Sequence, residues 1–527
     1  YPVQSYDFWT RNLVVTAGFE GQFGSGWKWD LSGTYSRNKQ NNRANQSWSS
    51  GRLFAALDAV DEGVAKGGAA NGNVVCNVTV TNPGLYPGCV PMNIFGPTAT
   101  TQAMWDYVRE VTWFYATTNQ KQIQGSLAGS PFSTWAGPVN VAVSGEWRKL
   151  DYLFISTAEP QNVDPLPCTG LRYNCVNASA TNAGTSRIFT NGTAGTALRQ
   201  PVWQEVVEAA IEADIPLLKD VSFAKDLSLN LAYRHADYKS RGTSVAQIAP
   251  ATTKFKADTW KAGLTWHVND AITFRATRSR DFRAPNLGDL YLPGRQQGFL
   301  LTQDFLTGAT SVLTQQYTGG NPNLKPEVGH TTTIGVVIKP TDNFSLAIDA
   351  YDIKIKDGIT SVDGSSAALQ QACYASNGAS VFCSLQVRPQ GNFTNTTTAN
   401  NATLWYVSAP VNLATIETRG LDVEANFKLD RLQLRGLLSY QPYLRSIQPL
   451  SPTLDAAGVS SPKLRLQASI RYSLTDAVAI DWSTRWRSGL KNLDPASSVN
   501  NNIVAGSQDV APYSSSNVTL TFKLPET

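Results

Sequence analysis

The sequence predicts an all-β chain, a transmembrane antiparallel β-barrel with long loops gathered at one end. Three observations carry this expectation. Apolar and polar residues alternate with a period of two, the mark of a strand whose successive side chains point to opposite faces. Short and long connections alternate along the chain, which places every long one on the same side. No run of about 18 apolar residues exists, so no helix of this chain is built to span a bilayer.

Composition fits this class. The chain has 527 residues, long for one soluble core. Its mean hydropathy of −0.22 suits a barrel as well as a soluble protein, because every second strand residue faces a wet lumen. The net charge of +4 is too small to argue for nucleic acid. Tryptophan is abundant (14) and methionine scarce (2), which suits an interfacial aromatic belt and would also suit a sugar-binding surface.

In chain order, "YPVQSYDFWTRNLVV" reads as feeding straight into a strand, followed by a tight turn at 24–26. Residues 40–112 form a long loop with two helical stretches. In "GRLFAALDAVDEG" (51–63), Leu53, Phe54, Leu57 and Val60 have helical spacing; "TQAMWDYVREV" (101–111) is the second. "DLSLNLAYR" puts Leu227, Leu229, Leu231 and Tyr233 on one face of a strand. "KAGLTWHVNDAITFRATRSRDFR" reads as a hairpin. Leu264, Trp266 and Val268 precede a turn at Asn269 and Asp270; Ile272, Phe274 and Ala276 resume the apolar face, against Thr273, Arg275 and Thr277.

"NFSLAIDAYDIKIKDG" changes phase. Phe344, Leu346, Ile348 and Ala350 are even-numbered, whereas Tyr351, Ile353 and Ile355 are odd-numbered. A bulge would switch phase this way. So would a strand that leaves the bilayer near Tyr351, and the long cysteine-containing segment that follows favours this exit. "GNFTNTTTANNAT" (391–403) is low-complexity. In "GLDVEANFKLDRLQLRGLLSY", Leu421, Val423, Ala425, Phe427 and Leu429 oppose Asp422, Glu424, Asn426 and Lys428. In "KLRLQASIRYSLTDAVAIDWSTRWR", Leu464, Leu466, Ala468, Ile470, Tyr472, Val478, Ile480, Trp482 and Trp486 oppose Arg465, Arg471, Asp481, Arg485 and Arg487.

Short turns are expected at 24–26, 269–270, 340–343, 430–431 and 474–477. Long connections are expected at 40–112, 153–201, 283–327, 357–410, 441–462 and 488–512. About 15 or 16 strands result, each long enough to cross a bilayer when tilted. The Leu/Trp face is then read as meeting lipid and the Arg/Asp face as lining a wide lumen. A Lys or Arg on the lipid face at mid-bilayer would cost about 2–4 kcal/mol.

Six cysteines fall into three local pairs, Cys76 with Cys89, Cys168 with Cys175, and Cys373 with Cys383, each in a Gly/Asn/Ser/Pro-rich segment. Local pairing in loops suggests disulfides made in an oxidising compartment, each stabilising by about 2–4 kcal/mol. The alternative is a metal site, but His235, His267 and His330 all lie away from the cysteine pairs. No catalytic triad and no metal-ligand spacing is visible, so no catalytic residue, metal or cofactor is expected.

Several segments resemble a known family. "SRDFRAPNLGDLY" (279–291), "GNPNLKPEVGHTTTIGVVIKPTDNFSLAIDAYDIKIKDGI" (320–359) and "IETRGLDVEANF" (416–427) are similar to TonB-dependent outer-membrane receptors. "AGPVNVAVSGEWRKLDY" (136–152) and "IPLLKDVSFAKDLSLNLAYRHADY" (215–238) resemble mid-barrel strands of that family. The "GNVVCNVTV…GCVPMNIFG" stretch (72–96) resembles a Cys-bridged loop of its proteobacterial members. The most specific motifs are Arg283, Ala284, Pro285 and Asn286, and Asn321, Pro322, Asn323, Leu324, Pro326 and Glu327, in the family's order and spacing.

The resemblance implies residues 1–527 to be part of a 22-stranded barrel in the outer membrane of a Gram-negative bacterium, monomeric and embedded in lipid. It implies a plug domain outside this chain that engages a TonB–ExbB–ExbD complex. It also implies a scarce extracellular ligand too large for porins, such as a ferric siderophore, haem, cobalamin or an oligosaccharide. The chain departs from the pattern at both ends: plug, coupling box and first strands are not seen, and "NVTLTFKLPET" does not read as a final strand ending in an aromatic residue. Residues 1–527 are therefore expected to be an internal piece of a longer receptor. The alternative function is a passive porin-like channel; a soluble secreted adhesin is a third class.

Candidate sites each have a plainer reading. Arg283 and Asn286 are candidates for contact with plug or ligand, or else Pro285 and Asn286 shape the strand exit while Arg283 satisfies loop carbonyls. The two prolines of 321–327 remove ladder donors and force an extended entry into the next strand, a structural role, with Glu327 able to anchor a loop. Arg275, Arg465, Arg471, Arg485 and Arg487 are candidates for drawing an anionic ligand into the lumen, or else balance Asp422, Glu424 and Asp481 on a wet wall. Trp105, Tyr107, Trp113 and Tyr115 are candidates for stacking on a ligand, or else belong to an aromatic belt.

Overall fold

The computed structural model describes residues 5–24, 26–96, 99–156, 170–172, 188–189, 201–243, 250–292, 295–388, 392–397, 401–451, 453–491 and 508–523. Fifteen long strands form one meander: β1 (Ser5–Phe23), β2 (Trp27–Ser49), β3 (Arg109–Thr134), β4 (Gly137–Ser156), β5 (Val202–Val221), β6 (Ala224–Gly242), β7 (Ala251–His267), β8 (Ile272–Arg283), β9 (Glu327–Thr341), β10 (Phe344–Asp363), β11 (Trp405–Leu429), β12 (Leu432–Ile447), β13 (Leu464–Ser473), β14 (Val478–Arg487) and β15 (Tyr513–Phe522). Each pairs antiparallel with its neighbours in chain order. Among the described residues no pairing joins β1 to β15.

Tight turns link β1 to β2, β3 to β4, β5 to β6, β7 to β8, β9 to β10, β11 to β12 and β13 to β14. All other connections are longer and lie at the opposite end. The tight turns follow local chemistry. Gly24 and Gly26 take the positive φ values of 57° and 100° that their turn needs. The Asn269 side chain accepts the amides of Ala271 and Ile272, both at 2.9 Å.

Register aligns the alternation of each strand with that of its neighbours. One row runs across nine strands from Leu227 through Trp266, Phe274, Val336, Ile348, Val423, Leu438 and Leu466 to Trp486. A second row joins Phe344, Phe427, Leu434, Ile470, Trp482 and Val518. Among the described residues nothing packs against this face. Phe274, Ile334, Leu466, Ile470 and Val518 are 36–71% exposed. The buried apolar clusters among the described residues lie instead in the long loops and the strand ends beside them, around Cys76, Met92, Tyr291 and Phe382. A water-soluble sheet would bury such rows against a second layer. A sheet whose apolar face meets lipid needs no second layer, and among the described residues no helix is long and apolar enough to cross a membrane. We therefore call this the outer face and the charged one luminal.

The phase change near Tyr351 is not a bulge in β10. Ala350 and Tyr351 face Ile334 and Thr333 on β9, and Leu421 and Gly420 on β11, in unbroken register. Beyond Ala350 the outer face becomes ionic: Asp352 pairs with Arg419 and Lys354 with Glu417. The strand has left the apolar band. Tyr351 turns to the luminal side and lies over Gly420, where a Cβ would overlap its ring. On the other side, Gln441 and Pro442 of β12 bulge opposite Gly420, between the pairs Leu421–Tyr440 and Arg419–Tyr443. Gly420→Val should displace Tyr351 and destabilise the protein by about 1–3 kcal/mol. Gly420→Ala with Tyr351→Ala should recover most of it; thermal unfolding in detergent checks this.

Four expectations are corrected. β2 extends to Ser49, β3 starts at Arg109, β10 runs to Asp363, β11 starts at Trp405 and β12 ends at Ile447. The strands therefore run several residues into the segments 40–112, 357–410 and 441–462 expected as loops. There both faces meet water, so hydrogen-bonded ladders persist without apolar alternation. Second, the 283–327 connection holds a hairpin, Arg295–Asp304 with Ala309–Thr318, whose second arm pairs parallel to the start of β11. Third, the 51–63 stretch is not one helix: a helix over Ser50–Leu57 is followed by a short strand, Ala59–Asp61, paired with Val74–Cys76, and then by a second short helix, Glu62–Ala65. Fourth, β15 ends on Phe522 and pairs with β14 along its whole length, where no such strand was expected. Disulfides join Cys76 to Cys89 and Cys373 to Cys383. The Cys168–Cys175 pair lies outside the described residues.

Candidate functional site

The luminal wall carries charge in pairs. Arg275 grips Asp349 through Nε and a terminal nitrogen at 2.8 and 2.5 Å. These residues sit on β8 and β10, with Gly335 of β9 between them in register. A Cβ at Gly335 would strike the Asp349 carboxylate, so the missing side chain makes the pair possible. Arg471 meets Asp481 at 3.2 Å and Arg435 meets Glu424 at 3.1 Å. Arg465 donates to Ser461 at 2.6 Å. Arg487 donates to the Ser488 carbonyl at 3.1 Å and lies 5.8 Å over the Tyr513 ring. Arg485 is exposed on the same face and has no ion pair among the described residues. A shallow luminal hollow between β2 and β6 is lined by Asp30, Ser126, Glu146, Glu208 and Arg234, with Arg234 paired to Glu208.

At the rim the two sequence motifs meet. Arg283 clasps Glu327 with two bonds at 2.6 and 2.7 Å, and Glu327 also accepts the Ile359 amide at 2.6 Å. Asn286 caps the short helix Leu287–Tyr291, its side chain and that of Asp289 exchanging bonds with each other's amides. The helix buries Leu290 and Tyr291 against Leu324 and Val202. Tyr291 donates to Thr253, which donates to the Pro322 carbonyl at 2.7 Å. Asn321 donates to the Pro410 carbonyl, and Asn412 brackets Lys325 from both sides. Ala284, Pro285, Asn323 and Pro326 complete these two crossing segments. The motifs thus tie the tops of β7, β8, β9 and β11 together. Glu327→Gln keeps the shape but weakens a charge-assisted fork, and should cost about 1–3 kcal/mol. Faster hydrogen exchange at Ile359 would report it.

Trp105 and Tyr107 lie on the helix Gln102–Val108 and pack into the apolar cluster of Ala56, Met92 and Val108. Burial pushes the Tyr107 hydroxyl up to about 12. Trp113 and Tyr115 touch at 4.8 Å between ring centroids, opposite Arg43 and Asn41 on the outer face rather than in the lumen. The structure therefore divides these four aromatics between two places.

A further set of residues was invisible to sequence reasoning. Asp304, from the unexpected hairpin, and Arg388 are both fully buried and bonded twice, at 2.9 and 2.8 Å. Thr403 donates to Asp304 through its amide at 3.1 Å, while Arg388 reaches Tyr374, Gln386 and the Asn401 carbonyl. Burial opposes ionisation of Asp304, but the Arg388 bond and charge prevail and hold its carboxyl down to about 2. The pair locks the hairpin to the Cys373–Cys383 loop. No group of three His, Cys, Asp or Glu side chains is arranged to hold a metal among the described residues.

A family model for TonB-dependent receptor-like β-barrels matches residues 1–527. No curated protein matches the chain. Among solved structures, the pyoverdine outer-membrane receptor FpvA of Pseudomonas aeruginosa is 12% identical with a TM-score of 0.51, over 99% of this chain and 56% of that one. The siderophore receptor PirA of Acinetobacter baumannii is 12% identical, TM-score 0.49, over 98% and 65%. The ferric-catecholate import receptor Fiu of E. coli K12 is 13% identical, TM-score 0.47, over 98% and 58%. The chain thus spans less than two thirds of the length of these proteins. With its meander, its lipid-facing apolar rows and its one-sided loops, the chain belongs to the TonB-dependent receptor-like β-barrel family of the Gram-negative outer membrane.

Proposed function

We propose that the chain forms the wall and extracellular rim of an active importer. The importer takes up a scarce ligand too large for porins: a ferric siderophore, haem, cobalamin or an oligosaccharide. A plug domain coupled to TonB–ExbB–ExbD drives it. The observation that carries this reading is the union of family membership over 1–527 with loops anchored by disulfides and a buried ion pair at a single end of a charged luminal wall. Anchored loops suit capture of a specific ligand, because ordering is completed before binding rather than charged against affinity. The paired luminal charges keep the wall wet without a strong net field. The test is ligand uptake by cells carrying the intact gene, with and without tonB. Uptake that stops on tonB deletion and on dissipation of the proton-motive force is expected. Uptake indifferent to both would overturn active import.

A further inference from the structure

The outer face holds a second chemical feature, just above the apolar band. Arg278 and Arg280 of β8, His330 of β9 and Lys356 of β10 project outward on three adjacent strands. In register Arg280 faces His330, Arg278 faces Thr332, and Lys356 faces Val328. The next outward row toward the tight turns is Ala276, Ile334 and Ala350, so the cluster spans the three rows directly above the lipid-facing surface: Arg278 in the first, Arg280 and His330 in the second, Lys356 in the third.

Asp258 and Asp281 offset only part of its charge. Asp352 is taken by Arg419 and Glu417 by Lys354. The Asp258 carboxylate is held by His235 at 2.7 Å and Tyr233 at 2.6 Å, and Arg280 reaches only the Asp258 carbonyl. Arg278 donates to the Thr332 hydroxyl. None of the four basic residues has an ion pair among the described residues. Arg278 and Lys356 are exposed, Arg280 and His330 half-buried.

A cation at this height does not meet hydrocarbon; it meets headgroups. Cations near a membrane surface gain about 1 kcal/mol each from anionic lipid, and arginine matches phosphate oxygens with a planar fork. We propose that Arg278, Arg280, His330 and Lys356 form a site for the phosphate of a lipid headgroup in the outer leaflet. The lipid's acyl chains would lie along Ala276, Ile334 and Ala350. The site fixes the depth of the wall in the membrane and takes no part in ligand import.

The test uses the intact receptor in dodecyl maltoside with fluorescent short-chain phosphatidate, read by anisotropy. Phosphatidylcholine and inorganic phosphate are the comparison probes. Phosphatidate should bind, and the variant with Arg278, Arg280, His330 and Lys356 all changed to Gln should bind it at least about tenfold more weakly. Arg278→Lys with Arg280→Lys should retain most of the affinity. If the Gln variant fails to fold, judged by heat-shifted gel mobility, the unmodified receptor still decides: its affinity for phosphatidate should fall steeply with salt. Equal binding by the folded Gln variant, equal binding of phosphatidylcholine, salt-indifferent binding, or displacement by inorganic phosphate at the same concentration as the lipid would each overturn the proposal. The last would mark a free-anion site. Ligand uptake by the Gln variant should be unchanged, so this test stands apart from that of the import function.

Discussion

Leu466→Arg should sharply reduce the yield of folded barrel in lipid vesicles, whereas Arg465→Leu should leave it nearly unchanged. The two residues are adjacent on β13 but face opposite ways. Leu466 lies between Leu438 and Trp486 in the outer row, with the apolar Leu464 and Ala468 two residues away on either side. A guanidinium there must either sit in hydrocarbon, costing about 2–4 kcal/mol, or drag water and headgroups toward it. Arg465 faces the lumen and makes a single bond to Ser461, so leucine there loses one solvated contact. Folding yield by heat-shifted mobility separates the two. Equal yields would mean that the outer and luminal faces are misassigned.

Arg388→Ala should loosen the extracellular loops without unfolding the barrel. It leaves the Asp304 carboxylate buried and unpaired, a loss of about 3–5 kcal/mol for a pair of this kind. Replacing both partners, Asp304→Leu with Arg388→Met, should cost much less, because no buried charge is stranded. Limited proteolysis of the 364–404 loop, with the strands still protected, is the readout. The pH dependence follows from the sign of the Asp304 shift. Its folded value of about 2 lies below the unfolded carboxyl value of about 3.9. The pair therefore contributes fully above about pH 4 and fades as pH falls toward 2. Loop protection that declined already between pH 7 and 5 would contradict this role.

Much of this architecture was legible in the sequence. Leu264, Trp266, Phe274, Val423, Leu466 and Trp486 declared the outer face by period alone, since each strand separates hydrocarbon from water. The register that lines them up adds detail but no new principle. Legibility ended where that separation ends. Above Ala350, both faces meet water, so β10 reads as a phase break although its ladder continues to Asp363. The strand tops near Ser49, Trp405 and Ile447 were lost for the same reason. The rim motifs announced Arg283 and Glu327 separately, but their clasp needs the register of β8 against β9. Asp304 and Arg388 had no local signal, because a buried ion pair between segments 84 residues apart leaves no periodicity. Gly335 and Gly420 likewise looked like ordinary strand glycines until the side chains lying over them were seen.

In this barrel wall the apolar rows meet lipid while the charged rows meet a water-filled lumen. Nitroxide labels placed singly at Ile470→Cys and Arg471→Cys, in the intact receptor reconstituted into bilayers, test it most directly. Power saturation compares collision with oxygen, which concentrates in lipid, and with a nickel chelate, which stays in water. The label at 470 should be relaxed by oxygen and shielded from nickel, with the reverse at 471. Equal nickel access at both positions, or the opposite order, would contradict it.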